Sequence, residues 1–332
     1  MKRSSTKPEA KQSPIEFAIN LNKSEYYQND QIIGFVKLLL REERTITDIK
    51  LKFKQREYWN HPHEHFVKEK TINKQIIEVK KYVVEHLNEN NPYSLGVKLT
   101  GGVYIFPFSL TIPNTCINTF EYSDDEIKTY VRSYIKFSFS DSSPYYCDYP
   151  IIIKTEMPKN DVPSSALSKT NIYKWGMFNS GIVKMRILSN KMIYKIGNIA
   201  HVKISIDNTE SDIMIISVKL SLYRKFSFFS AQGLTLEKKI KINSKIIEVS
   251  CKAREKAEIE GKIEVDDCGF LEETMNVIND RKDSVINVSF LLPSITTKVV
   301  QCEYYIKATA YAEEVVFKKS RPRCLLPIQV LF

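Results

Sequence analysis

The chain has 332 residues, 43% of them hydrophobic and 27% charged, with a formal net charge of +10 at pH 7. That length holds two domains of about 150 residues, each able to bury a core, and the composition excludes disordered, collagen-like and disulfide-dependent classes. The surplus of Lys and Arg favours anionic partners such as phosphorylated tails, acidic lipid headgroups or nucleic acid, without choosing among them.

Residues 1–13 are polar and basic and read as a flexible N-terminal segment with no leader. No window approaches about 18 uninterrupted apolar residues, so the expectation is a cytoplasmic protein, peripheral at most on the plasma membrane or endosomes. Strand signals then begin. Ile15, Phe17, Ile19 and Leu21 alternate with polar or small residues, the period of a half-buried strand. Ile49, Leu51 and Phe53 alternate with Lys50, Lys52 and Lys54, which puts the lysines on one face at about 7 Å spacing, a ladder suited to phosphate or acidic cargo.

Trp59 to Asn73 reads as an insertion, and it carries His61, His63 and His65, three of the five histidines. Extended backbone would turn them the same way, yet no fourth ligand or orienting carboxylate is spaced to complete a zinc site. The expectation is no metal, with this cluster the only candidate. Pro107, in Phe106-Pro107-Phe108, lacks a ladder donor and requires an edge strand or bulge. Order-breaking residues from Pro158 to Lys174 read as a hinge at 159–174 between domains at 14–158 and 175–332.

The second half alternates again at Val183, Met185, Ile187, at Val202, Ile204, Ile206 and at Val218, Leu220, Leu222. A second insertion is expected at Cys251 to Asp283, holding the best helix candidate, Leu271 to Asp280. Two basic runs stand out: Lys238, Lys239, Lys241 and Lys245, and the denser Lys318, Lys319, Arg321 and Arg323. The second is the membrane-facing candidate, since each cation near an anionic bilayer contributes about 1 kcal/mol. The six cysteines are scattered singly and read as reduced, buried thiols.

Four pairs of matches recur in the same order in the two halves. Leu21-x5-Tyr27 with Ile32 matches Leu188-x5-Tyr194 with Ile199, and Ile112-Pro113 matches Leu292-Pro293. Tyr134 to Lys136 matches Tyr305 to Lys307, and Pro150-Ile151 matches Pro327-Ile328. The chain therefore reads as all-β: two copies of one antiparallel, immunoglobulin-like sandwich in tandem, joined by a short hinge. P-loop, G-x-G-x-x-G, nucleophile-elbow and H-E-x-x-H patterns are absent, so the reading is a non-enzyme without cofactor. Aromatics are not interleaved with the basic runs, which argues against nucleic acid.

These residues resemble the arrestin family. The first half does so through Tyr27-x-x-Asp30-x-Ile32-x-Gly34-x-Val36, through Gly102-x-Tyr104-x-Phe106-Pro107-Phe108-Ser109-Leu110-x-Ile112-Pro113, and through Thr119-Phe120-Glu121 with Tyr134. The second half does so through Gly181-Ile182-Val183, Lys191-x-x-Tyr194-x-x-Gly197, Ile206-Asp207-Asn208-x-x-Ser211 and Leu291-Leu292-Pro293. The resemblance implies an adaptor in trafficking or signalling, close in style to alpha-arrestins. Its partners would be transmembrane receptor or transporter tails, phosphorylated or not, trafficking proteins and anionic lipid headgroups.

The same resemblance puts Asp30 and Lys154 at polar-core positions and makes Arg41 to Asp48 the loop that probes receptors. Lys154 stands where an arginine fork would suit phosphate better. The sequence stops at Phe332, just past the last expected strand, and contains no P-P-x-Y for ubiquitin-ligase recruitment, so no C-terminal tail is expected. A retromer-type coat subunit bridging cargo and a large partner is the second reading. An enzyme or metal protein using the 61–65 histidines is the third.

Overall fold

The computed structural model describes residues 15–46, 48–61, 64–78, 97–123, 127–139, 146–158, 160, 162–229, 235–265, 292–315 and 317–331. Among them the elements are strands, with one 3-10 turn at Lys318–Ser320. The first half contributes β1 (Ile15–Leu21), β2 (Glu25–Tyr27), β3 (Gln31–Leu40), β4 (Arg44–Ile46), β5 (Asp48–His61), β6 (Glu64–Glu78), β7 (Val97–Leu99), β8 (Gly102–Thr111), β9 (Phe120–Ser123), β10 (Lys128–Phe139) and β11 (Tyr146–Lys154). They form a sheet in the order β1-β3-β8, a second in the order β2-β11-β10-β5-β6 with β9 on β10, and the pair β4-β7. Pro107 lies on β8, an edge strand, as its missing N–H demands.

The second half contributes β12 (Ser164–Lys174), β13 (Phe178–Ser189), β14 (Ile193–Lys195), β15 (Asn198–Ser211), β16 (Ile215–Phe229), β17 (Thr235–Cys251), β18 (Lys256–Val265), β19 (Ile295–Thr296), β20 (Val300–Ala312) and β21 (Arg323–Leu331). Their sheets run β12-β13-β15-β18 and β14-β21-β20-β16-β17, with β19 on β20. The molecule is thus all-β, with two sheet-rich halves of matching plan.

Two compact units emerge. Unit 1 comprises Met1–Arg56, Glu69–Cys116 and Arg132–Ile153; unit 2 comprises Glu57–Lys68, Ile117–Val131 and Lys154–Phe332. In unit 1, Val36, Leu38, Phe53, Phe106, Phe137 and Ile153 are buried together. In unit 2 the buried residues of β13, β15, β16 and β20 share a core with Trp59, Phe120 and Tyr122, and the Tyr122 and Phe226 rings lie 4.3 Å apart. Burying one such ring contributes about 2–3 kcal/mol. The five described cysteines form no disulfide with one another, and four of them are buried.

Three expectations change. Residues 164–174, expected as part of a hinge, are β12, paired along its length with β13. Of Trp59 to Asn73, residues 59–61 end β5 and residues 64–73 belong to its neighbour β6, rather than to a loop insertion. The Cys251 to Asp283 segment begins with the end of β17 and then β18, which pairs with β15 from Asn198↔Val265 to Asp207↔Lys256. Its inward positions include Ala257 and Gly261, which blunt the apolar period; a Cβ on Gly261 would stand 2.9 Å from the Ile247 side chain. Residues 271–280, the helix candidate, lie outside the described residues.

The repeat holds with one correction. Tyr134 faces Pro150 across β10–β11, and Tyr305 faces Pro327 across β20–β21, so two of the repeated pairs are cross-strand partners in both halves. The first match slips by one residue: Tyr26, not Tyr27, is the counterpart of Tyr194. Tyr26 and Tyr194 are buried at the centres of β2 and β14, each followed three residues later by a residue at positive φ, Asn29 (70°) and Gly197 (84°). Three further on come the buried Ile32 and Ala200, whereas Tyr27 and Ile199 are exposed. Gly34 sits mid-β3, where a Cβ would stand 2.4 Å from the Asn20 carbonyl oxygen.

Candidate functional site

On β5, Ile49, Leu51 and Phe53 are buried, and Lys50, Lys52 and Lys54 share the opposite face, half-buried. They do not form a free ladder. Lys54 Nζ is paired with Glu69 Oε1, Arg56 donates to Glu69 Oε2 at 2.7 Å, and Tyr134 donates its hydroxyl to the same oxygen. Burial pushes the Glu69 carboxyl up, but the hydrogen bonds from Lys54, Tyr134 and Arg56 outweigh it and hold it at about 2. Burial and Glu69 together push the Tyr134 hydroxyl above its ordinary range. Lys50 and Lys52 have no carboxylate partner among the described residues and remain available.

Asp30 is a turn residue. Its Oδ2 accepts from Lys23 Nζ at 2.6 Å and from Tyr27 N at 2.9 Å, closing the turn between β2 and β3. Those two bonds, Lys23 first, hold its carboxyl below the ordinary range against a small burial effect. Lys154 ends β11, half-buried.

The basic run near the C-terminal strand divides. Lys318 and Lys319, in the 3-10 turn, are exposed. Arg323 donates to the Lys318 carbonyl, and the Arg321 guanidinium lies 4.5 Å from the Tyr311 ring centroid. Two of the four expected membrane-facing cations therefore face solvent freely. The side chains of His61, His63 and His65 lie outside the described residues; among the described ones, no group of three or more His, Cys, Asp or Glu is placed to hold a metal ion.

Beside Lys318 and Lys319 is a feature sequence reasoning missed. The β12–β13 hairpin turns at Lys174-Trp175-Gly176-Met177, closed by Met177 N donating to Lys174 O at 3.1 Å. Trp175 (φ 50°) and Gly176 (φ 78°) are both left-handed, the signature of a type I′ turn. That conformation suits glycine and is unusual for tryptophan.

The tip is pinned by Lys174–Glu314 (2.9 Å) and by Trp175 N donating to Glu314 O (3.3 Å). The Phe317 ring lies so close to Gly176 that a Cβ there would stand 2.5 Å from it. Trp175 is 57% exposed, Met177 76%, Phe178 64% and Phe317 55%. The only local sequence signal was Trp-Gly-Met-Phe, a glycine turn flanked by apolar residues, in a stretch beginning where a hinge was expected to end.

Tandem sheet-rich units, antiparallel in the pairings given except where β14 runs parallel to β21, define an all-β scaffold. The family model for Arrestin (or S-antigen), N-terminal domain matches residues 15–139, and that for Arrestin (or S-antigen), C-terminal domain matches residues 179–332. The chain belongs to the arrestin family, a family of adaptors. No curated protein matches it.

Proposed function

We propose that this arrestin-family chain is an adaptor in membrane-protein traffic or signalling that works on an anionic cytoplasmic membrane surface and receives receptor or transporter tails there. The observation that carries this reading is the tip: four exposed apolar side chains beside two exposed lysines. Trp and Phe partition into the interfacial region of a bilayer, and adjacent lysines add attraction to acidic headgroups. Lys50 and Lys52 supply the surface for acidic or phosphorylated tails.

Co-sedimentation with phosphatidylcholine vesicles, with and without phosphatidylserine, tests it. Binding is expected only when phosphatidylserine is present, weakened roughly tenfold for each of Trp175→Ser and Phe317→Ser and about fivefold for each of Lys318→Glu and Lys319→Glu. Added salt should relieve the lysine contribution and spare the apolar one. Wild-type protein that ignores phosphatidylserine vesicles, or tip variants that bind as well as wild type, would sink the proposal.

A further inference from the structure

The two halves present the same outward sheet face with opposite electrostatic solutions. In unit 1, Tyr134 lies opposite Pro150, and Lys136, two residues on, lies opposite Asp148. Burial, with a further push from Glu69, holds the Asp148 carboxyl above its ordinary range, and the nearby Lys136, Arg56 and Lys54 offset this only in part, so this face carries acids beside its bases. Glu69 answers Lys54 and Arg56. In unit 2, Tyr305 lies opposite Pro327, but Lys307 lies opposite Leu325, an exposed apolar residue where the other half has its aspartate.

Lys307 is half-buried and has no carboxylate partner among the described residues. Its ammonium lies 5.6 Å from the Tyr223 ring centroid. Burial, followed by the nearby charges of Arg323 and Lys239, holds it below the ordinary lysine range. Of the other charges on the face, Lys225 is answered by Glu237 at 2.5 Å and lies opposite Glu303, and Lys239 is answered more loosely by Glu237 at 3.7 Å. Lys241, directly opposite Tyr223, has no carboxylate partner among the described residues. A half-buried cation among cations is costly unless an anion from outside completes it.

The floor between these charges is apolar. Tyr223 and Tyr305 are cross-strand partners whose rings stack at 5.3 Å and 9°. Lys241, Tyr223, Tyr305 and Pro327 form one row across β17, β16, β20 and β21. Three strand-to-strand steps of about 4.8 Å make that row roughly 14 Å long, and an extended peptide places same-side residues about 7 Å apart. Acidic residues at every second position therefore match it.

We propose that this face of unit 2 binds an acidic, extended polypeptide segment, its carboxylates meeting Lys307, Arg323 and Lys241 with their methylene stems over Tyr223, Tyr305 and Leu325, while the intervening side chains point away from the sheet. A polypeptide fits better than a bilayer because the cations lie on a sheet face floored by tyrosines, not on a protruding tip.

Fluorescence anisotropy of the full chain with a fluorescein-labelled decapeptide of alternating Glu and Val, against one of alternating Gln and Val, tests it. Saturable binding of the Glu peptide is expected, about tenfold tighter than the Gln peptide, and weakened about tenfold by Lys307→Glu or Lys241→Glu. Lys37→Glu, at an exposed position on the β1-β3-β8 sheet of unit 1, should stay within about twofold. Lys307→Met should lose peptide affinity while its melting temperature holds or rises, which separates a lost site from a lost fold. Absence of saturable binding, wild-type affinity in a folded Lys307→Glu, or a Lys307→Glu defect confined to phosphatidylserine vesicles would overturn the proposal.

Discussion

Gly181→Ala is expected to destabilise unit 2 by about 4 kcal/mol or more, read as a large fall in the urea midpoint or as loss of folded protein. Gly181 lies on β13 opposite Ser211, next to a register shift between Ile182 and Lys184, with φ at 103°. A Cβ there would stand 1.9 Å from the Glu210 carbonyl oxygen and 2.7 Å from the Ser211 Cα. Both obstacles are backbone, so relief means prising β13 from β15. Gly197→Ala separates the two sources of cost. Its φ is 84°, but a Cβ would meet nothing within 4 Å, so only the left-handed conformation is charged, about 1–2 kcal/mol. Equal losses in the two variants would show that the close approach at Gly181 carries no energy.

Glu69→Leu is expected to cost about 2 kcal/mol in unit 1. It strips the acceptor from Lys54, whose side chain is only 15% exposed, and from Arg56 and the Tyr134 hydroxyl. The same carboxyl sets an acid limb. Its folded pKa, about 2, lies below the ordinary 4.5, so its contribution is fully present above pH 4.5 and fades as pH falls toward 2. A shift of that size corresponds to roughly 3 kcal/mol, which screening at a partly exposed group reduces to about 1 kcal/mol. Urea unfolding at pH 6 and pH 3 should show wild type losing more than half of that increment and Glu69→Leu lacking it. An identical acid dependence in the two proteins would refute the assignment.

Much of the fold was legible because period-two alternation is a direct record of one buried and one wet sheet face, as at Ile49 to Lys54. Register was less so. Tyr26 and Tyr27 are adjacent and alike, and the left-handed residue that fixes the turn is Asn29 in one half and Gly197 in the other, so alignment on tyrosine slipped by one. β12 was hidden because Ser164, Ser165, Ser168 and Thr170 carry little strand signal and the ladder to β13 supplies what the residues do not.

The site was less legible still. Lysines at alternate positions looked free, but Glu69 is far enough along the chain that its pairing with Lys54 appears only once β5 and β6 are laid together. Asp30 was assigned by family position, while its charge is answered locally by Lys23. Trp175, Met177, Phe178 and Phe317 were invisible for the opposite reason: apolar residues in a sequence look like core until their exposure is seen.

The chain contains two tryptophans, and their surroundings divide the labour of intrinsic fluorescence. Trp59 is 5% exposed within the core of unit 2, whereas Trp175 stands at the open hairpin tip. Emission from the first should redden when the core opens, and emission from the second should move to the blue and resist aqueous quenchers when the tip enters an apolar phase. Unfolding and surface docking thus carry opposite spectral signs in an unlabelled protein, and a Trp59→Phe variant would leave the docking signal by itself.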